Sequence, residues 1–474
     1  MQNLGNMQAI YIRTINQGGI ADSPYMGAKN SVAYMKGFDI HSSPGILKVN
    51  QKFTKDSGNT IDDLVRAIVP STDGNIYFFG STSGKIWKRD SNGNYSLVAT
   101  ATPSAGSAGI LSAVEYEGYI YYAMQNKLGR WQIGTAWSSR NDNFATFTNG
   151  NASYHPMQIV NDTLYIGDGN LVAQVDDTHT FVANALDLQK KYIISALGKF
   201  STDLLIGTVV SDVVNKAEVF RWNTWSVSFS SSDPINENGI LSFIEGENFV
   251  FVMAGLSGNL YYYNGQELVL FKQIPGNYSP TNTVKMYSDA WANFKGIPIF
   301  GISNKQGNPA PQGIYSLGSK NEAYPKVLNV ENYISTENNQ NIEIGAIAVV
   351  GNDIYVSWKD SNGAVSYGVD KLDYSQKTNA ELETRVMKLD GIYVNTFTKF
   401  IVNYKKLPSG TEIKLYYRTS LDDTYTLLPT VVDMKRMQVF VERQIQSAKL
   451  QLKVETISSG NAAPEIEDIV VLVE

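Results

Sequence analysis

No cysteine occurs among the 474 residues. Disulfide staples, thiol nucleophiles and thiolate metal sites are therefore excluded, and the redox compartment is left open. Histidine is scarce. His41, His155 and His179 stand far apart and in no HxH or HExxH arrangement, so no histidine-based metal site is expected. Positive charge is not in excess either. The 39 Lys and Arg against 45 Asp and Glu leave a formal net charge of −6, which argues against a nucleic-acid-binding surface. No apolar run approaches the ~20 residues of a membrane helix. The opening "MQNLGNMQAIYIRTINQGG" lacks the basic start and unbroken apolar core of a secretory signal. The expectation is a soluble chain without membrane or nucleic-acid partners, leaving a cell, if at all, by assembly, lysis or another route.

Aromatic residues, by contrast, make up 11% of the chain, with 28 Tyr, and there are 39 Gly. That is the composition of short strands joined by tight turns. "TDGNIYFFGSTSGKIWKRD" (72–90) reads as strand, turn, strand, and the unit recurs. Its turn at Asp73 is followed by turns at 117, 161, 202, 247, 295 and 352, spaced 41 to 57 residues apart. Each copy supplies a strand before the turn ("LSAVEYEG", "LSFIEGE"), one after it, a third ending in aromatics ("KIWKRD", "RWQIG", "FRWN", "YYYNG") and a fourth ("YSLVAT", "LVLFKQI"). Four strands at a period near 45 residues predict an all-β fold, a seven-bladed β-propeller, with eight blades as the alternative. The third-strand aromatics Trp87, Trp131, Trp222, Tyr262 and Tyr315 are expected between blades.

The ends depart from the period. Residues 1–24 read as an extended arm that docks a neighbour. Residues 25–390 read as the propeller, closed by an N-terminal strand around "GFDIHSSPGILKVN" against the last blade. From 391 to 474, strands such as "FIVNY", "EIKLYYR" and "KLQLKVET" alternate without the blade period, as in a small antiparallel β-sandwich or jelly-roll-like module.

In that last segment "KLPSGTEIKLYYRTSLDDTYTLL", "AKLQLKVET" and "PEIEDIVVLVE" resemble the part that follows the propeller in bacteriophage virion and tail proteins. "MKGFDIHSSPGILKVN" resembles the start of such chains. The resemblance implies a structural component of a tail, neck or baseplate-like assembly, made in the host cytoplasm and carried in the virion. It implies partners among other virion proteins, including copies of the chain in a ring. It brings no catalytic motif.

The residues themselves point the same way. Asp62-Asp63, Asp176-Asp177 and Asp422-Asp423 fall at turns, where Asp accepts backbone N–H groups. "DSNGN" (90–94) and "DSNG" (360–363) lack the ligand series and closing glutamate of a calcium loop. His41 is read in a strand and His155, before Pro156, in a loop. There is no GxSxG elbow, P-loop or GxGxxG fingerprint, and the sialidase-type box is present only in fragments. No catalytic, metal or cofactor residue is assigned, and ligand-binding residues stay open. The expected role is a non-enzymatic scaffold. Two alternatives stand beside it: a receptor- or carbohydrate-binding module facing a host surface glycan, and a polysaccharide-cleaving enzyme on the same fold.

Overall fold

The computed structural model describes all residues except 1–7, 14, 16–17, 44, 103–108, 211–214, 277–282, 305–311, 320–324, 389–393 and 429–437. Among the described residues it is all-β, and the longest named helical element is a 3₁₀ turn, Trp137–Ser139. The chain divides into two compact units. One comprises residues 1–53, 314–333 and 372–474, the other 54–313 and 334–371.

The larger unit holds the repeat. Five antiparallel sheets of four strands follow one another in chain order. The first is Val65–Pro70, Ile76–Gly80, Lys85–Arg89 and Tyr95–Thr100. Their successors begin at Ser112–Tyr116, Met157–Val160, Tyr192–Phe200 and Ile240–Glu245. Trp291–Phe294 pairs with Ile297–Asn304 to open the sixth set, and Ile342–Val350 with Asp353–Asp360 opens the seventh. Each leading strand packs on the next, and Ile342–Val350 returns to Val65–Pro70, so the succession is closed. This is the architecture of a β-propeller. The closing sheet takes its outer place from the incoming chain: the N–H groups of Asp56 and Ser57 donate to the Val369 carbonyl at 2.9 and 3.2 Å. Val369 N–H in turn donates to Ser57 Oγ at 3.0 Å.

Why the period appears is visible in the second strands. They are buried on both faces, as in "IYFFG" (76–80) and "VFVMA" (250–254), and so read as continuous apolar runs. Several carry a glycine in their second half: Gly167, Gly207 and Gly301. There the next leading strand comes close. A Cβ on Gly167 would lie 2.7 Å from Ile194, one on Gly207 2.5 Å from Ile240, and one on Gly301 2.2 Å from Ile344. Buried serine hydroxyls bond across the same seams. Ser112 donates to His155 O, Ser195 to Ile240 O at 2.6 Å and Ser357 to Val65 O at 2.6 Å.

The third-strand aromatics sit between sheets. Trp87 packs with Tyr355 and Val369, Trp131 with Tyr77 and Phe79, and Trp222 with Val160 and Tyr165. Tyr315, in the smaller unit, is also buried. Tyr262 is a correction: it is only half-buried, and the residue buried against Ala196 and Leu205 is Tyr263. Tyr262 pairs with Phe251 and Tyr263 with Val250. One residue of offset in this copy turns the side chains to the opposite face.

The smaller unit contains two sheets. In one, Glu465–Val473 lies between Asn395–Tyr404 on one side and Gln8–Ile12 with Leu47–Val49 on the other. The described part of the N-terminal stretch thus pairs within its own chain, Gln8 opposite Val473 through Ile12 opposite Ile469. In the other sheet, Tyr34–Lys36 joins Val327–Asn332 in parallel and Ala380–Glu383 in antiparallel fashion, and Gln451–Ile457 and Glu412–Arg418 extend it. Burial alternates along these strands, with Phe400, Val402 and Tyr404 inward on one and Ile413 and Leu415 on another. That is the pattern of a sandwich layer with one face in the core.

Candidate functional site

Arg66 gathers polar side chains from four separated stretches of the larger unit. It alternates with the buried Val65 and Ala67 on its strand, so its side chain leaves the sheet seam on the other side. Nη1 donates to Ser153 O at 3.3 Å, and the guanidinium lies 4.1 Å over the Tyr287 ring. Its buried Nε has no hydrogen-bond partner among the described residues. Burial lowers the Arg66 pKa, opposed by Tyr287, Asp289, Tyr154 and Glu343.

Glu343, on the leading strand of the seventh set, is the most heavily bonded member. It accepts from Lys285 Nζ at 2.7 Å, Tyr287 OH at 2.8 Å and Lys359 Nζ at 3.1 Å. Burial works to raise its pKa, but the Lys285 charge and these three donors outweigh it and hold the carboxyl at about 2. Asp289 behaves oppositely. Burial pushes it up to about 6 against the pull of Arg66 and a 3.2 Å bond from the Ser288 hydroxyl. A second link crosses between the third and fifth sheets, where Gln158 Nε2 donates to Glu245 Oε1 at 2.8 Å. Lys199 N–H donates to the same oxygen at 2.7 Å. Burial raises Glu245 to about 7. Chemically, both groupings tie leading strands together. Glu343 is saturated with donors and ionised throughout the neutral range, which suits a structural anchor and not a proton carrier.

A pH prediction follows from Glu343. Its folded pKa of about 2 lies below the ordinary 4.5, so its charged form stabilises the fold above that ordinary value. The contribution is lost as pH falls from about 4.5 to about 2. Glu343→Gln should therefore lower Tm near neutrality, and its deficit against the wild type should shrink over that acid window. Parallel Tm–pH curves for the two proteins would show the idea wrong.

Most residues singled out in the sequence have a structural partner. His155 is buried, stacked 4.2 Å from Phe147, with ring nitrogens 2.7 Å from Gly167 O and 2.8 Å from Gln125 O. Burial lowers its pKa. His41 follows the strand Phe38–Asp39 instead of lying in it. Its Nε2 is 2.9 Å from Ser316 Oγ, and burial brings its pKa down to about 4. His179 sits in a turn with Nδ1 3.0 Å from Tyr121 OH. Asp63 accepts Thr82 and Ser83 N–H at 2.9 and 2.7 Å, Asp176 accepts Thr178 and Thr180 N–H, and Asp62 pairs with Lys85 at 2.5 Å. Asp423 accepts the Thr419 hydroxyl. Asp90 and Asp360 accept N–H groups of their own turns. Of these residues His155 lies within reach of the Arg66 charge, which adds to the lowering of its pKa, whereas His41, His179 and the turn aspartates make their bonds elsewhere. The members of the Arg66 grouping lie between positions 66 and 359 with no local motif, and only the ring brings them together.

No protein-family model matches the chain, and no curated protein does. Solved structures do. A domain described as the extracellular part of a hybrid two-component system from B. thetaiotaomicron aligns at 12% identity and a TM-score of 0.50, over 88% of this chain and 56% of that one. Streptogramin B lyase aligns at 13% identity and a TM-score of 0.48, over 68% of this chain and 98% of that one. The β-propeller domain of Cps50 (Swd1) from Myceliophteria thermophila aligns at 13% identity and a TM-score of 0.45, over 67% and 99%. At such identities the likeness concerns fold alone. On its own closed succession of four-stranded sheets, the repeat-bearing part of this chain is a β-propeller.

Proposed function

We propose that this protein is a non-enzymatic scaffold in the virion of a tailed bacteriophage, a seven-bladed propeller that holds neighbouring virion proteins, copies of itself among them, in fixed geometry. The observation that carries the reading is the closed ring. Its leading strands are tied by buried hydroxyls and by the Arg66 and Glu343 contacts, so the body keeps its shape under load without a partner. The resemblance of the C-terminal strands to phage virion chains supports the setting. The polar groups at the ring serve as one another's partners, which supports a structural over a catalytic role. The test is composition of the particle. Mass spectrometry of purified virions should find the chain at a fixed stoichiometry, and antibody labelling should place it on the tail or neck. A chain confined to the lysate, or a purified protein that cleaves polysaccharide, would defeat the proposal.

A further inference from the structure

The smaller unit carries an open cavity of about 140 Å³ between the Tyr25 segment and the strands ending at Arg418 and beginning near Leu450. Its charged lining residues are Arg418 and Lys449, and no carboxylate is among them. The Tyr25 ring is 47% exposed, with Lys449 Nζ 5.6 Å and Lys388 Nζ 6.0 Å from its centroid. Among the described residues neither lysine has an ion-pair partner. Arg418, by contrast, is fixed: Nε donates to Gln451 Oε1 at 2.8 Å, Nη1 to Leu421 O at 3.1 Å, and Nη2 lies 3.5 Å from Glu383.

We propose that this cavity binds an acidic saccharide, a uronate-type residue of a surface polysaccharide. Two lysines without counter-ions beside an exposed aromatic ring form a site that lacks a negative charge and offers an apolar platform. The partly exposed Leu421 and the Tyr25 ring accept the apolar face of a pyranose. The Ser420 hydroxyl, which already accepts the Asp422 N–H at 3.3 Å, has its proton to donate to a sugar oxygen. A bare inorganic anion would use the lysines and leave the ring and the apolar wall idle.

The experiment is isothermal titration of the full chain with an oligogalacturonate, its neutral galactose counterpart and inorganic phosphate. Lys449→Gln and Tyr25→Ala are tested alongside, and Tm certifies that each is folded. The oligogalacturonate should bind. Each variant should weaken it about tenfold or more, as loss of one charged hydrogen bond or stacking contact does. The neutral sugar should bind at least that much more weakly. No binding of oligogalacturonate by the wild type, or equal binding by Lys449→Gln, overturns the proposal. So does phosphate binding as tightly as the sugar, which would reduce the cavity to an anion site.

Discussion

Replacing Trp222 by alanine is expected to destabilise the propeller by about 3–5 kcal/mol, the range for large aromatic truncations in a core. Trp222 is 2% exposed. It packs edge-on to Tyr165 at 5.5 Å, among Val160, Val172 and Leu204, at the seam between the third and fourth sheets. Its Nε1 donates to Ser226 O at 2.8 Å. Truncation would open a cavity too apolar for water and leave the Ser226 carbonyl without that donor. Trp225, three residues on, is 84% exposed and provides the control. Its replacement should change stability by no more than about 0.5 kcal/mol, as at ordinary surface sites. Denaturant midpoints of the two variants settle the matter. If Trp222→Ala behaves like Trp225→Ala, the seam is not where the stability lies.

The second large effect belongs to Gly345. It lies where the register shifts between Ile344 and Ile347. A Cβ there would stand 2.0 Å from the Val65 carbonyl oxygen and 2.8 Å from Ser357 Oγ. Those atoms are bonded to each other, and Ser357 Oγ also accepts the Ala346 N–H at 2.9 Å. A single methyl would thus push the last leading strand off the first and break the hydroxyl bridge. Gly345→Ala should cost about 1–3 kcal/mol from overpacking, with a further ~1–3 kcal/mol for buried groups left unbonded. Gly351→Ala is the comparison: its φ of +62° is left-handed but nothing lies within 4 Å of a Cβ, so backbone strain of about 1–2 kcal/mol is the whole penalty. A Gly345→Ala protein no less stable than Gly351→Ala would show that the seam relaxes freely.

The repeat was legible because burial on both faces forces a continuous apolar second strand, and because in several copies the close approach of the next leading strand demands a glycine within it. The first constraint recurs from copy to copy and the second in several of them, so together they leave a period. Trp87, Trp131 and Trp222 were legible for the same reason. Tyr262 was misplaced because the copies differ by a residue in length around their turns, and a strand pattern of period two reverses on one such shift. The parallel pairing of Lys36 with Val330 left no trace, since Tyr34–Lys36 is three residues long and too short to show periodicity. The Arg66 and Glu343 grouping was illegible in principle. Neither residue has a sequence neighbour in the contact, and charged residues at strand positions ordinarily face solvent.

The bond from Val369 N–H to the Ser57 hydroxyl spans 312 residues. At the ~5–20 residues per second of protein synthesis, the strand that fits there leaves the ribosome on the order of 15–60 seconds before its partner exists. In that interval the first sheet has formed one side only. Trp87, Phe78 and Ile76, which finally pack on Tyr355 and Val369, face water as a contiguous apolar surface. Because so many of the stabilising pairings are distant in sequence, closure is also intrinsically slow. The nascent chain therefore depends on a chaperone, or on rapid completion, in proportion to the delay. Slowing translation between residues 90 and 340 should increase aggregation more than slowing it after residue 371, when the ring has everything it needs to shut.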